Sequence, residues 1–260
     1  MARKKGSYGS SQNSIQNAAK TLKANIQFAS VDSPIQSVLL TSSVPDEGKS
    51  TIAVNLAQSF AQAGKKVILI ECDLRRRSIA HMLGVHTKGG LYAVLSDQAS
   101  LEEMVVPLSQ SNMFFLDCEP NIPNPADILN SKRFAKLVGN LEDHYDYVIF
   151  DTPPVGAFID AAVLSQLVDG VLFVVRRDFA KREQIASAFD QLKKAGANVL
   201  GTVLNYAESS SDGYYYSNYY GGSKDTGNVQ GSTVHVHGEN NRRAPINGAS
   251  RTAAGKRFSK

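Results

Sequence analysis

Ser42-Ser43-Val44-Pro45-Asp46-Glu47-Gly48-Lys49-Ser50-Thr51 follows the apolar run Val38-Leu39-Leu40 and precedes Ile52-Ala53-Val54-Asn55-Leu56-Ala57. The run before it reads as a buried parallel strand, and the apolar spacing after it reads as a helix. A strand-to-helix loop ending Gly-Lys-Ser is where a phosphate chain can be held. Backbone N–H groups of the loop and of the helix N-terminus point at the anion, the lysine reaches the β- and γ-phosphates, and the serine hydroxyl ligates Mg²⁺. ATP and Mg²⁺ are therefore the expected ligands. Pro45, Asp46, Glu47, Gly48, Lys49, Ser50 and Thr51 are the candidate nucleotide-binding residues. The pattern G-x-x-x-x-G-K-[ST] departs at its first glycine, which is Ser43, a residue small enough for a close turn. The competing reading is a surface turn that happens to contain Gly-Lys-Ser.

The whole chain narrows the choice. Its 260 residues, 42% hydrophobic, suffice for one sizeable α/β domain with tails. No apolar run approaches the roughly 18–20 residues of a membrane span, and the polar, basic start has no apolar core. A cytoplasmic protein is expected. Cys72 and Cys118 stand in unrelated contexts, giving neither a disulfide framework nor metal-ligand spacing. The net charge of +4 is modest, with basic residues gathered at the start, at Arg75-Arg76-Arg77 and in the last twenty positions. Solvated charge is the expected role of the terminal clusters, and nucleic acid is not an expected partner.

Residues 1–14 are too polar to order themselves. From Ser14 to Phe28 a helical stripe carries Ile15, Ala18, Ala19, Leu22 and Ile26, either capping its own sheet or packing on a neighbour. Strands are expected at Ile35–Thr41, Val67–Ile70, Met113–Asp117, Tyr147–Phe150, Gly170–Val175 and Val199–Asn205. Helices are expected from the loop to Ala63, at Ile79–Gly84, Gly90–Ser96, Ser100–Val105, Ala126–Leu141, Asp160–Leu167 and Lys181–Ala195. Such alternation means right-handed crossovers and a doubly wound, mostly parallel sheet over residues 15–206, with ligands at the carboxyl ends of its strands. Beyond it, 207–222 holds the cluster Tyr214, Tyr215, Tyr216, Tyr219 and Tyr220, and 223–260 reads as a disordered basic tail.

Carboxylates end two of these strands. Asp151 closes Tyr147–Phe150, where a magnesium-holding aspartate sits in nucleotide-binding sheets. Glu71 and Asp73 close the second strand on one side of it, with Cys72 opposite. Two such carboxylates repel unless a cation or proton lies between them. The alternative is a solvated pair matched by Arg75 or Arg76.

These residues together resemble the cytoplasmic catalytic domain of the bacterial tyrosine kinases of capsule and exopolysaccharide biosynthesis, a P-loop branch related to MinD and ParA. The likeness covers residues 15–222. It rests on Ser42–Thr51, Ile70–Arg76, Pro123-Asn124-Pro125 with Asp127-Ile128-Leu129, Phe150–Pro154 with Asp160, Asp169–Arg176 and Gly201–Asn205, and above all on the tyrosine cluster. MinD and ParA relatives lack that cluster and carry a lysine at the position of Val44. The resemblance implies that Lys49 holds the β/γ-phosphates and that Ser50, Asp73 and Asp151 hold magnesium, the aspartates through water. It also implies that Asn205 borders the nucleotide, and that the first carboxylate of the Glu71/Asp73 pair takes the proton of the incoming tyrosine. Glu71 is one methylene longer than the family's usual aspartate. The family's ring-forming Glu-x-x-Arg-x-x-Arg-x-Asn pattern appears as Asn17, Lys20, Lys23 and Asn25, which loses bidentate pairing.

The implied activity is ATP-dependent transfer of phosphate to the tyrosine cluster of a neighbouring subunit in a homo-oligomeric ring. Implied partners are a membrane activator of the chain-length-regulator type and a tyrosine phosphatase, with the kinase at the inner membrane face. Two rival readings are a MinD/ParA-like nucleotide-switched ATPase without protein substrate, and a non-catalytic adaptor phosphorylated by another kinase.

Overall fold

The computed structural model describes residues 7–30 and 33–207, with 7–12 described by backbone alone. The tyrosine cluster and the basic tail after it lie outside the described residues. In chain order the elements are α1 (Ser7–Ala29), β1 (Ser37–Ser42), α2 (Lys49–Gln62), β2 (Val67–Glu71), α3 (Ile79–Leu83), α4 (Leu91–Leu95), α5 (Leu101–Met104) and β3 (Val106–Pro107). They continue with β4 (Met113–Leu116), α6 (Pro125–Leu129), α7 (Lys132–His144), β5 (Tyr147–Asp151), α8 (Asp160–Leu164), β6 (Gly170–Arg176), α9 (Arg182–Lys194) and β7 (Val199–Asn205).

The strands form one sheet in the order β3-β4-β2-β5-β1-β6-β7, parallel except for β3. Alternate side chains of each central strand enter opposite cores, as a sheet covered on both faces requires. Leu39, Ile68, Ile70, Val148, Phe150, Val171 and Phe173 pack with residues of α4, α7, α8 and α9. Val38, Leu40, Val67, Leu69, Ile149, Leu172 and Val174 pack with α1, α2 and α3. The doubly wound sheet expected from the sequence is thus present.

Three details differ from the sequence reading. The helix expected over Ala126–Leu141 is two helices, because the Ser131 hydroxyl accepts the Phe134 N–H at 3.1 Å and starts α7 afresh. Strict alternation fails at β3, which pairs antiparallel with β4 and ends in Pro107, a residue with no N–H that is tolerated at a sheet edge. Helix α1 begins at Ser7, inside the stretch expected to be unordered, since adding residues to a nucleated helix costs little. It packs on α2, with Ile26 and Leu22 joining the same core and Ala19 buried. Ile15 and Phe28 stay exposed, so its stripe is only partly used within this chain.

The sheet's central strand is β5, and its register sets Asp151 between Leu40 of β1 and Glu71 of β2. At the other end, the Asp169 carboxylate accepts N–H groups from Gln36 (2.7 Å) and Ser37 (2.9 Å) and the Ser37 hydroxyl (3.1 Å), tying the start of β1 to that of β6. Asp169→Ala leaves these donors unmatched and is expected to lower unfolding free energy by about 2–3 kcal/mol in chemical denaturation. Asp169→Asn, which keeps an acceptor, should lose less.

Candidate active site

The loop between β1 and α2 is shaped from inside by Glu47. Its side chain is fully buried, and one carboxylate oxygen accepts the backbone N–H of Ser43 (2.7 Å), the Ser43 hydroxyl (2.7 Å) and the N–H of Val44 (2.9 Å). The other oxygen accepts the N–H of Arg176 at 3.1 Å. Glu47, expected at the nucleotide, therefore acts on the loop and not outward from it. The same contacts explain the missing first glycine: Ser43 does not adopt a positive φ, and its hydroxyl is used. The left-handed positions are Asp46 (φ 64°) and Gly48 (φ 88°). Gly48 cannot carry a side chain for a second reason, since a Cβ there would strike the Asn205 amide.

Asn205, at the end of β7, donates its amide to the Glu47 carbonyl at 2.9 Å, which puts it beside the loop. Pro45 and Asp46 form the exposed tip, where Asp46 pairs with Arg76 at 3.2 Å. Thr51 is exposed on the first turn of α2. Gly48 supplies no side-chain cap to α2, so the positive end of a 14-residue helix opens at the loop.

Lys49 lies at the centre. Its ammonium is 3.3 Å from the Ser50 hydroxyl, 3.4 Å from Asp73 and 3.8 Å from Asp151. Burial alone would lower its pKa, but the charges of Asp151, Asp73 and Glu71 hold it above the ordinary lysine range. Asp151 is fully buried, and neither of its oxygens has a hydrogen-bond partner. Burial pushes its pKa up to about 6, Lys49 pulls it down, and Asp73 adds to the rise. Glu71 is driven higher, to about 8, by burial and the Asp151 charge, against the N–H groups of Ser78 and Ile79 and the Lys49 ammonium. The two carboxylates at the end of β2 are not the solvated pair that was one alternative. Glu71 is 0% and Asp73 5% exposed, while Arg75 and Arg76 pair instead with Asp160 and Asp46.

Two carboxylates, Asp73 and Asp151, face one ammonium, and a buried carboxylate whose oxygens make no hydrogen bond is costly to maintain. A magnesium nucleotide fits this chemistry. Among the described residues, no group of three or more His, Cys, Asp or Glu side chains is arranged to hold a metal directly. Coordination through a hydroxyl, phosphate oxygens and bridging water is what the residues suit.

Sequence reasoning gave no role to the contacts that brace this edge. Arg75 bonds the buried Asp160 at 2.6 Å and stacks on Phe158 at 4.1 Å, and Arg77 pairs with the buried Asp117 at 3.2 Å. The three consecutive arginines were the available signal, but their partners lie far away in sequence. Tyr214, Tyr215, Tyr216, Tyr219 and Tyr220 fall outside the described residues.

Removing the bare buried charge should separate stability from binding. Asp151→Asn is expected to stabilise the nucleotide-free chain by about 1–2 kcal/mol in thermal or chemical unfolding. The same variant should lose the extra stabilisation that magnesium and ADP confer on the parent.

Comparison with known proteins identifies the family. A family model described as an AAA domain matches residues 46–199. Tyrosine-protein kinase YwqD of Bacillus subtilis is 40% identical over 202 residues, covering 78% of this chain and 84% of that protein. The kinase domain of the Escherichia coli tyrosine kinase ETK superposes with a TM-score of 0.70 at 29% identity, covering 75% of this chain and 78% of that one. The septum site-determining protein MinD of Pyrococcus horikoshii, at 22% identity and a TM-score of 0.58 over 68% of this chain and 72% of that one, shares the fold. The chain belongs to the bacterial tyrosine-protein kinases built on the P-loop AAA domain.

Proposed function

We propose that this ATP-binding tyrosine kinase transfers the γ-phosphoryl group of magnesium ATP to Tyr214, Tyr215, Tyr216, Tyr219 and Tyr220 of a neighbouring copy. The observation that carries the reading is Asp151, buried with no hydrogen bond to either oxygen and only Lys49 as its charge partner at 3.8 Å, at the rim shared by Lys49, Ser50 and Asp73.

Each side chain has a task in that reaction. Lys49 leaves its carboxylate partners and neutralises the β- and γ-phosphates, while the loop held by Glu47 and Asn205 and the open end of α2 cradle the phosphate chain. Ser50, Asp73 and Asp151 are the residues that would hold magnesium. The chemistry that magnesium would supply there is neutralisation of the charge that develops on the transferred phosphoryl group. The acceptor oxygen forms a bond to the γ-phosphorus as the bond to the β-phosphate oxygen breaks, leaving ADP. The proton of the acceptor hydroxyl goes to Asp73, which at 5% exposure is the one of the three carboxylate residues with surface to meet it. Such a transfer needs positioning and charge neutralisation more than a strong base.

The segment 207–213 tethers the tyrosines and gives them a high effective concentration at an adjacent subunit. Each phosphate adds nearly two negative charges, so several on neighbouring tyrosines repel one another and loosen the assembly. Exposed Ile15 and Phe28 on α1 support a homo-oligomer, with lysines where a bidentate arginine contact would be stronger. Among the described residues no helix is long and apolar enough to cross a membrane, which suits recruitment to the inner membrane face by a separate activator of the chain-length-regulator type. A tyrosine phosphatase resets the tail. The biological output of the cycle is control of capsular or exopolysaccharide polymerisation and export.

Incubating the full chain with ATP and Mg²⁺ and mapping phosphate by mass spectrometry tests this. Phosphotyrosine is expected within Tyr214–Tyr220 and absent in Lys49→Met. Release of inorganic phosphate with no modified tyrosine points instead to a nucleotide-switched ATPase.

A further inference from the structure

Glu71 stands where a proton acceptor for the incoming tyrosine was expected, yet both of its oxygens are taken up by backbone N–H groups. One accepts the N–H of Asp73 at 3.2 Å. The other accepts the N–H groups of Ser78 at 2.8 Å and Ile79 at 3.1 Å. The residue is 0% exposed. Ser78 and Ile79 begin α3, whose start has no cap from its own Ser78 side chain. A carboxylate at the end of β2 therefore supplies the missing cap and closes the loop 72–78 upon itself.

That loop carries the residues that grip the rest of the rim. Within it the Asp73 carboxylate accepts the N–H of Arg76 at 3.0 Å, which fixes the side chain that faces Lys49. Arg75 reaches Asp160 at the start of α8, Arg76 reaches Asp46 in the phosphate loop, and Arg77 reaches Asp117 and the Cys118 carbonyl beyond β4. One loop thus fastens three separate parts of the site, and Glu71 fastens the loop.

We propose that Glu71 is a positioning residue that holds the loop 72–78 and sets Asp73, and that it takes no proton from the acceptor. The extra methylene is what the role requires. An aspartate on the same backbone falls short by about 1.5 Å, one carbon–carbon bond, and so loses Ser78 and Ile79 from hydrogen-bonding range. A glutamine keeps an oxygen for these two N–H groups and gives up only the longer contact to Asp73.

The inference rests on the kinase reading above, but its first test does not. In the nucleotide-free full chain, amide hydrogen exchange at Ser78 and Ile79 should stay slow in Glu71→Gln and become about tenfold faster or more in Glu71→Asp. Far-UV circular dichroism should show both variants folded. In the autophosphorylation assay, Glu71→Gln should keep its rate within about threefold of the parent, while Glu71→Asp should lose about tenfold or more and need more Mg²⁺ for half-maximal rate. A Glu71→Gln protein with slow exchange and no phosphoryl transfer overturns the proposal and makes Glu71 the base. A Glu71→Asp protein with unchanged exchange and full activity overturns it too. A parent chain that shows this exchange pattern but never modifies tyrosine removes the kinase reading and leaves the clamp supported.

Discussion

Acidic side chains that crowd one ammonium at the end of a buried sheet have to be reconciled by a cation from outside. Asp73 and Asp151 lie within 3.4 and 3.8 Å of Lys49, and Glu71 is close enough to raise its pKa. One lysine offsets one charge. Burial resists the rest, so Asp151 and Glu71 both have pKa values shifted upward, and Asp151 keeps two bare oxygens. A fold selected for stability alone has no use for that arrangement. A fold that must attract a divalent cation with its nucleotide does, and tolerates the cost at the site where it works.

The sheet order makes the crowding unavoidable. In three neighbouring parallel strands, β2, β5 and β1, residues Glu71, Asp151 and Leu40 lie level, and β1 runs two residues further to Ser42. Each then passes directly into a loop that is bound to its neighbours. The Cys72 N–H donates to the Asp151 carbonyl at 2.8 Å, the Thr152 N–H donates to the Leu40 carbonyl at 3.1 Å, and the Val155 N–H donates to the Ser42 carbonyl at 2.9 Å. The charged side chains therefore share one rigid edge, and the glutamates on either side of them are anchors. Glu47 draws the phosphate loop inward and Glu71 draws in the loop after β2. Both use carboxyl oxygens to accept backbone N–H groups where the chain turns sharply, so those oxygens are occupied within the protein.

Much of this was legible before any coordinates. Val67–Ile70 and Tyr147–Phe150 are continuous apolar runs because they are covered on both faces, and such runs announce a parallel sheet. Lys49 was marked by its loop, Asp73 and Asp151 by their places at strand ends and Asn205 by the family resemblance, and the structure places Lys49 beside Asp73 and Asp151 and Asn205 beside the loop. What the sequence hid is set by distant backbone. Glu47 and Glu71 looked like residues facing ligand or solvent, since nothing in their spacing discloses that N–H groups of Arg176 or of Ser78 and Ile79 arrive to meet them. The break between α6 and α7 was signalled by Ser131, but the apolar periodicity runs across it and masked the signal. A two-residue edge strand ending in proline leaves no pattern at all.

The most direct test is a crystal structure of the full chain with magnesium and a non-hydrolysable ATP analogue. It should show Lys49 swung from Asp73 to the β- and γ-phosphates, Ser50 on the metal, and Asp73 and Asp151 reaching it through ordered water. A nucleotide bound elsewhere, or phosphates seated on the loop with Asp151 still lacking any partner, contradicts the account.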